Sequence, residues 1–248
     1  MSSTVEFRAA SYRIGTREIL RPLTLTVEAG ETLVLLGHSG SGKTTALKMV
    51  NGLLSPASGE VLVDGRATTA WDPVRLKRRI GYVIQDIGLF PHYTVAENVG
   101  LVPRLEGWDA PRVRARVDGL LRQVGLAPDQ FGGRYPRELS GGQRQRVGVA
   151  RALAADPSVL LFDEPFAAVD PVTRLELQKQ FLALRQELGR TSIFVTHDVR
   201  EALMLATRVA LLKNGALELL STPREFLESR NPEALAFLEC LDWEAPQS

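Results

Sequence analysis

Gly37-His38-Ser39-Gly40-Ser41-Gly42-Lys43-Thr44-Thr45 stands between an apolar run, Thr32–Leu36, and a stretch of helical character at residues 44–51. Strand, glycine-rich loop, lysine, hydroxyl and helix follow in the order that the P-loop pattern requires. Phosphate oxygens need many donors at close range. Glycines let backbone N–H groups turn inward around such an anion, and the helix N-terminus that follows adds the positive end of its dipole. Lys43 would neutralise the outer phosphates, and the Thr44 hydroxyl could replace one water around Mg²⁺, an ion that prefers octahedral oxygen ligands. A glycine-rich turn without a ligand is the alternative, and the strand, Lys43 and Thr44 together argue against it.

Outward from this loop, further short apolar runs occur at residues 159–162, 192–195 and 209–212. Strands buried on both faces of a parallel sheet read this way. Helix-like stretches at 142–155, 171–188 and 199–206 alternate with them, which predicts an α/β fold whose parallel sheet is flanked by helices. The N-terminal part differs. Residues 5–8, 23–27 and 61–64 alternate between apolar and polar and are separated by turn-rich pieces, so a small antiparallel β subdomain is expected there. From residue 90 to about 155 charged helical sequence takes over, with Arg112, Arg114, Arg116 and Arg122 beside Val113, Val117, Leu120 and Leu121. The expected organisation is a core at 1–89 and 156–225 that includes the antiparallel subdomain, an inserted helical subdomain at 90–155, and a short C-terminal helical tail at 226–248. Residues 243–248 are expected to fray.

Thirty basic and 29 acidic residues leave a formal charge of +1, which removes the bulk electrostatic argument for nucleic acid as the main partner. The single cysteine, Cys240, can form no internal disulfide and fits a reducing compartment, with cytoplasm the default. The N-terminus lacks the basic start and apolar stretch of a secretory signal. Apolar runs such as 33–36 and 209–212 fall far short of the roughly 20 residues that cross a bilayer, so a membrane role would require a partner chain.

The run at 159–162 ends in Asp163-Glu164-Pro165, two carboxylates where a buried strand emerges. Open α/β sheets bind ligands at such ends. Consecutive strand residues face opposite ways, so the chain must bend after Asp163 for both acids to reach one site. Asp163 would then hold Mg²⁺, and Glu164 would orient and deprotonate an attacking water. His197 closes another apolar strand and precedes Asp198, a good N-cap; its imidazole could reach a terminal phosphate. Gln85 follows the apolar stretch 80–84. Leu139-Ser140-Gly141-Gly142-Gln143 opens a long helix, a second start favourable to anions.

These motifs, in this order, resemble the nucleotide-binding subunit of ABC transporters, over about residues 5–227. The resemblance implies a P-loop NTPase core in which 37–45 is the Walker A motif, Gln85 the Q-loop residue and 139–143 the LSGGQ signature. It further makes 159–164 the Walker B motif with its catalytic glutamate, Asp170 the D-loop aspartate, His197 the switch histidine and Tyr12 the aromatic that stacks on adenine. The D-loop departs slightly, reading Ala167-Ala168-Val169-Asp170 where Ser/Gly-Ala-Leu-Asp is usual. ATP and Mg²⁺ are the implied cofactors: Glu164 and His197 catalytic; Tyr12, Gly37, His38, Ser39, Gly40, Ser41, Gly42, Lys43, Thr44, Thr45 and Gln85 on the nucleotide; Thr44, Gln85 and Asp163 on the metal. The implied partners are a second ATP-binding subunit, transmembrane permease subunits and, indirectly, a substrate-binding protein, at the cytoplasmic face of the membrane. In a head-to-tail dimer Ser140, Gly141, Gly142 and Gln143 would meet the partner's ATP.

The loop at 85–98 and the later 102–108 resemble the quaternary-amine branch, which imports glycine betaine, choline or carnitine. Longer members of that branch append a regulatory pair of CBS domains, and none is expected within these 248 residues. Residues 89–93 are expected to dock a membrane subunit, because exposed apolar loop residues usually seek a partner. Two alternatives stay open: import of an amino acid, sugar or phosphate by the same motor, and a soluble ABC-type ATPase acting on nucleic acid or ribosomes.

Overall fold

Burial on both faces is what turns the apolar runs into strands. All five residues of β3 and all six of β8 are buried. The computed structural model describes residues 3–85, 88–167 and 169–241, with no side-chain description at 184–188. The fraying expected at 243–248, and Ala168 of the D-loop, lie outside the described residues. In chain order the elements are β1 (Val5–Ile14), β2 (Arg17–Val27), β3 (Thr32–Leu36), α1 (Lys43–Val50), β4 (Ser58–Val63), β5 (Arg66–Ala67), α2 (Pro73–Arg79), β6 (Ile80–Val83), α3 (Val95–Leu105), α4 (Ala110–Gln123) and α5 (Pro128–Phe131). There follow α6 (Gly141–Leu153), β7 (Val159–Asp163), α7 (Pro171–Leu188), β8 (Thr191–Thr196), α8 (Val199–Leu205), β9 (Arg208–Lys213), β10 (Ala216–Ser221), α9 (Pro223–Leu227) and α10 (Pro232–Glu239). The described residues fall into two compact units, one of residues 72–190 and one of 3–71 with 191–241.

In the unit of 3–71 and 191–241, β2, β1, β4 and β5 form the antiparallel sheet expected from the N-terminal alternation. Val5 pairs with Val27 on one side and Val63 on the other, and all three are buried. The hairpin is longer than the sequence suggests. β1 runs on to Ile14 and turns through Gly15, at φ 58°, into β2 at Arg17. Arg13, Arg17, Glu18 and Arg21 mask that stretch, because an exposed ribbon needs no apolar periodicity. β3 lies parallel to both β8 and β9, and β10 closes antiparallel on β9. β10 carries little strand signal in the sequence because its alternation is half exposed.

In the unit of 72–190, β6 and β7 pair in parallel, Tyr82 opposite Leu161 and Val83 opposite Phe162. The residues between them are helical, as the charged sequence predicts. α4 starts at an Asp109 cap and buries Val113, Val117, Leu120 and Leu121 on one face. α3 starts in a capping box between Thr94 and Glu97. Asn98, fully buried, donates to the carbonyls of Phe90, Tyr93 and Thr94 and accepts from the Phe90 N–H, so one amide staples the loop that precedes its own helix.

Gly81 of β6 leaves no room for a side chain: a Cβ there would fall on the backbone carbonyl oxygen of Ala152 in α6. Gly81→Ala should therefore lower stability by about 2–3 kcal/mol, since backbone on both sides cannot give way. A urea unfolding midpoint equal to that of the unmutated chain would show that α6 can shift.

Candidate functional site

The loop between β3 and α1 is built around an absent cap. Gly42 stands at the N-cap of α1 at φ 97°, where no side chain caps the first N–H groups of the helix. A helix N-terminus without a side-chain cap favours an anion. Its Cβ would lie 2.9 Å from the Ile19 carbonyl oxygen and 3.0 Å from Leu20 Cδ1, and a Cβ at Gly37 would fall on the Leu212 carbonyl oxygen. Close backbone approach thus selects glycine at both positions. Lys43, 4% exposed, donates from Nζ to the carbonyls of Gly37 at 2.6 Å and His38 at 2.9 Å. Ser41 Oγ is buried without a hydrogen-bond partner. A buried hydroxyl left without a partner is costly, and a phosphate oxygen in the loop would satisfy it.

Two further predicted residues belong to the same unit. Leu36 pairs with Thr196, so His197 leaves β8 at the sheet edge where Gly37 leaves β3. His197 is exposed there, ahead of α8, whose first turn is capped by Asp198 accepting from the N–H groups of Arg200 and Glu201. Tyr12 is half-buried on β1 opposite Leu20, the residue that borders Gly42. The antiparallel sheet thereby carries the tyrosine beside the phosphate loop.

In the other unit, Asp163 ends β7 at 5% exposure and accepts a hydrogen bond from the Tyr82 hydroxyl at 3.1 Å. Burial, and then the Asp163 charge, push the Tyr82 hydroxyl far above its ordinary range, so it remains a donor. Glu164 turns at φ 46°, the bend that two acids of one strand end need. A residue with a side chain pays about 1–3 kcal/mol to adopt such a conformation, and it persists only when the surroundings impose it. The β6–β7 register carries Gln85, exposed, out at the same edge as these two acids. Tyr82 was not singled out from the sequence; its signal was a hydroxyl in an otherwise apolar strand.

Ser140 and Gln143 form a reciprocal cap on α6: the Ser140 N–H donates to Gln143 Oε1 at 2.9 Å and the Gln143 N–H to Ser140 Oγ at 3.2 Å. Gly141 and Gly142 make the first turn, and a Cβ on Gly142 would lie 2.5 Å from Thr173 Cγ2 of α7. Asp170 caps α7 through the Thr173 N–H at 3.0 Å, and that bond holds its carboxyl below the usual carboxylate range. The start of α6 and the Asp170 turn are therefore brought together by packing. At the C-terminal end of α6, Tyr82, Gly88, Phe90, Leu101, Val102 and Arg151 are among the residues lining a groove of about 410 Å³. Arg151 donates to the Gly88 carbonyl at 2.7 Å at its edge.

Among the described residues there is no cluster of three or more His, Cys, Asp and Glu side chains that could hold a metal ion. Within the unit of 72–190, the side chains of Gln85 and Asp163 both carry oxygen donors of the kind that suits Mg²⁺. No helix among the described residues is long and apolar enough to cross a membrane.

A family model described as ABC transporter matches residues 20–167. The carnitine transport ATP-binding protein OpuCA of Listeria monocytogenes is 48% identical over 225 residues, covering 91% of this chain and 56% of that protein. The osmoprotectant import ATP-binding protein OsmV of Salmonella typhimurium is 51% identical over 205 residues, covering 83% and 54%. The chain thus spans about half the length of these curated relatives. A dimeric post-hydrolysis structure of the ATP-binding cassette MJ0796, bound to ADP and Pi, superposes with a TM-score of 0.78 at 33% identity, covering 90% of this chain and 99% of that one. The expected fold class is borne out, parallel strands with helices, an antiparallel β-sheet and a helical region. With the phosphate loop, the acidic strand end and the capped glycine turn all in place in a fold shared at this level of identity, the chain belongs to the ABC transporter family.

Proposed function

We propose that this chain is the ATP-hydrolysing motor subunit of an importer for a quaternary amine or related osmoprotectant, such as glycine betaine, choline or carnitine, acting through separate membrane subunits. The observation that carries this reading is the near-half identity, across most of the chain, to ATP-binding proteins of carnitine and osmoprotectant import.

In this reading the N–H groups of residues 37–45 bind the phosphates, with Ser41 Oγ and Lys43 Nζ supplying side-chain donors and Tyr12 stacking on adenine. Lys43 exchanges its two loop carbonyls for phosphate oxygens, a charge-assisted gain. Thr44, Gln85 and Asp163 would hold Mg²⁺, and the Tyr82 hydroxyl, which donates to Asp163, orients that carboxylate. When bound, Mg²⁺ neutralises charge on the outer phosphates. Glu164 takes the proton of the attacking water, and His197 hydrogen-bonds the terminal phosphate. The Ser140–Gln143 turn meets the ATP of a second copy. ATP then closes the dimer through contacts that ADP cannot make, because a ligand shifts an equilibrium only by differential affinity.

The helical subdomain at 90–155 joins the motor to its permease at the cytoplasmic face of the membrane. Phe90, 41% exposed, with His92 edge to face against both it and Tyr93, and Tyr93 tilted against it, supplies the docking loop. The test is ATP hydrolysis by the chain reconstituted in vesicles with its membrane and binding subunits. Stimulation by glycine betaine or choline is the expected result. Hydrolysis that ignores both and answers to another solute would remove the substrate class, and a preparation in which no solute changes the rate would overturn the motor reading.

A further inference from the structure

His38, the second residue of the phosphate loop, is one of three histidines in the chain, and its side chain is 72% exposed. Its imidazole nevertheless has a built surrounding. The ring stacks on Phe237 of α10, with centroids 4.8 Å apart and planes 27° from parallel. Its Nε2 lies 3.5 Å from Glu233 Oε1, and the other oxygen of that carboxylate takes the Lys213 ammonium at 2.6 Å. Glu233 and Phe237 are one helical turn apart on the face that α10 buries, at 8% and 5% exposure. Asn231 fixes where that face begins, capping the N–H groups of Glu233 and Ala234. Lys213 ends β9, one residue after the Leu212 carbonyl against which Gly37 packs. Glu233 holds the Lys213 ammonium above its usual range.

A nearly buried carboxylate and a buried ring have thus been spent on an exposed loop residue. The loop needs such a fixture. His38 is followed by Ser39 and Gly40, both exposed, and a Cβ on Gly40 would meet nothing within 4 Å. The His38 carbonyl also receives Lys43 Nζ, the same ammonium that must turn to phosphate. Movement of His38 therefore changes both the direction of the loop N–H groups and the resting partner of Lys43.

We infer that α10 is a positioning element of the phosphate loop, in which Phe237 and Glu233 hold His38 and thereby set nucleotide affinity without touching the nucleotide. The inference rests on the nucleotide-binding reading above. Pre-organisation of a loop raises affinity by removing the entropy of ordering it, and leaves the chemical step alone.

The test uses the full purified chain, a fluorescent ATP analogue, and melting temperatures without nucleotide. Phe237→Leu and Glu233→Gln should each weaken the analogue about three- to tenfold, a size usual for side chains coupled through one contact. In the reconstituted transporter the same variants should raise KM for ATP and leave kcat unchanged. Phe237→Tyr, which keeps the ring, should retain affinity, and neither loss should recur once His38 is replaced by Ala. Unaltered affinity in Glu233→Gln, an isosteric change that decides the matter even if Phe237→Leu melts early, would overturn the inference. So would losses that persist in the His38→Ala background, because they would not pass through His38. Failure of the unmutated chain to bind the analogue would instead sink the nucleotide reading, and the inference with it.

Discussion

Glu164→Gln should lower ATP hydrolysis by about a thousandfold while leaving ATP binding intact, because an amide has the shape of the carboxylate and cannot accept the proton of the attacking water. The position makes this a clean substitution. Glu164 is half-buried on a turn at φ 46°, and Gln keeps the same chain length and Cβ branching, so the strain already present is not increased. Bound ATP should then persist, and with it the contact between one copy and the Ser140–Gln143 turn of another. Size-exclusion chromatography in saturating ATP should show a dimer for Glu164→Gln and a monomer for the unmutated chain after turnover. A variant that hydrolyses at the normal rate would remove Glu164 from catalysis, and one that stays monomeric in ATP would count against the two-copy mechanism.

Lys43→Ala should weaken ATP by about a hundredfold or more, since a charge-assisted contact to phosphate in a buried site is worth several kcal/mol. The same substitution touches the free protein. Lys43 Nζ donates to two loop carbonyls, so its loss also removes donors from them and should lower stability by about 1–2 kcal/mol. The two effects separate by thermal melting. At roughly a hundredfold excess over Kd, ATP should stabilise the unmutated chain by about 2.7 kcal/mol. Lys43→Ala should melt somewhat lower without nucleotide and gain almost nothing when ATP is added. A normal upward shift with ATP would mean that the loop N–H groups and α1 bind the phosphates without the ammonium.

Much of the fold was legible because its signals are local. A strand covered on both faces must be apolar throughout, so β3, β7, β8 and β9 stand out, and a loop that wraps phosphate needs glycines at fixed spacing. The requirement that the chain bend after Asp163 followed from strand geometry alone. The Ser140 cap of α6 is likewise local, and the S-x-x-Q spacing to Gln143 makes it reciprocal.

What escaped the sequence involves residues far apart along it or exposed to water. β10 and the outer half of the β1–β2 hairpin carry little apolar pattern because solvent, not a core, meets their side chains. The Tyr82 bond to Asp163 joins positions 81 residues apart. Gly142 is a glycine partly because Thr173 of α7 packs on it, and Gly37 because β9 passes behind it. His38 meets Phe237 and Glu233 only because β9 and α10 return to the phosphate loop. By itself, then, the sequence determined the parallel strands, the phosphate loop and the order of its motifs, since each depends on periodicity or on the conformational freedom of a few neighbouring residues. Tertiary structure alone decided which of those residues are held, by what and at what distance, because close packing couples side chains that no local pattern relates.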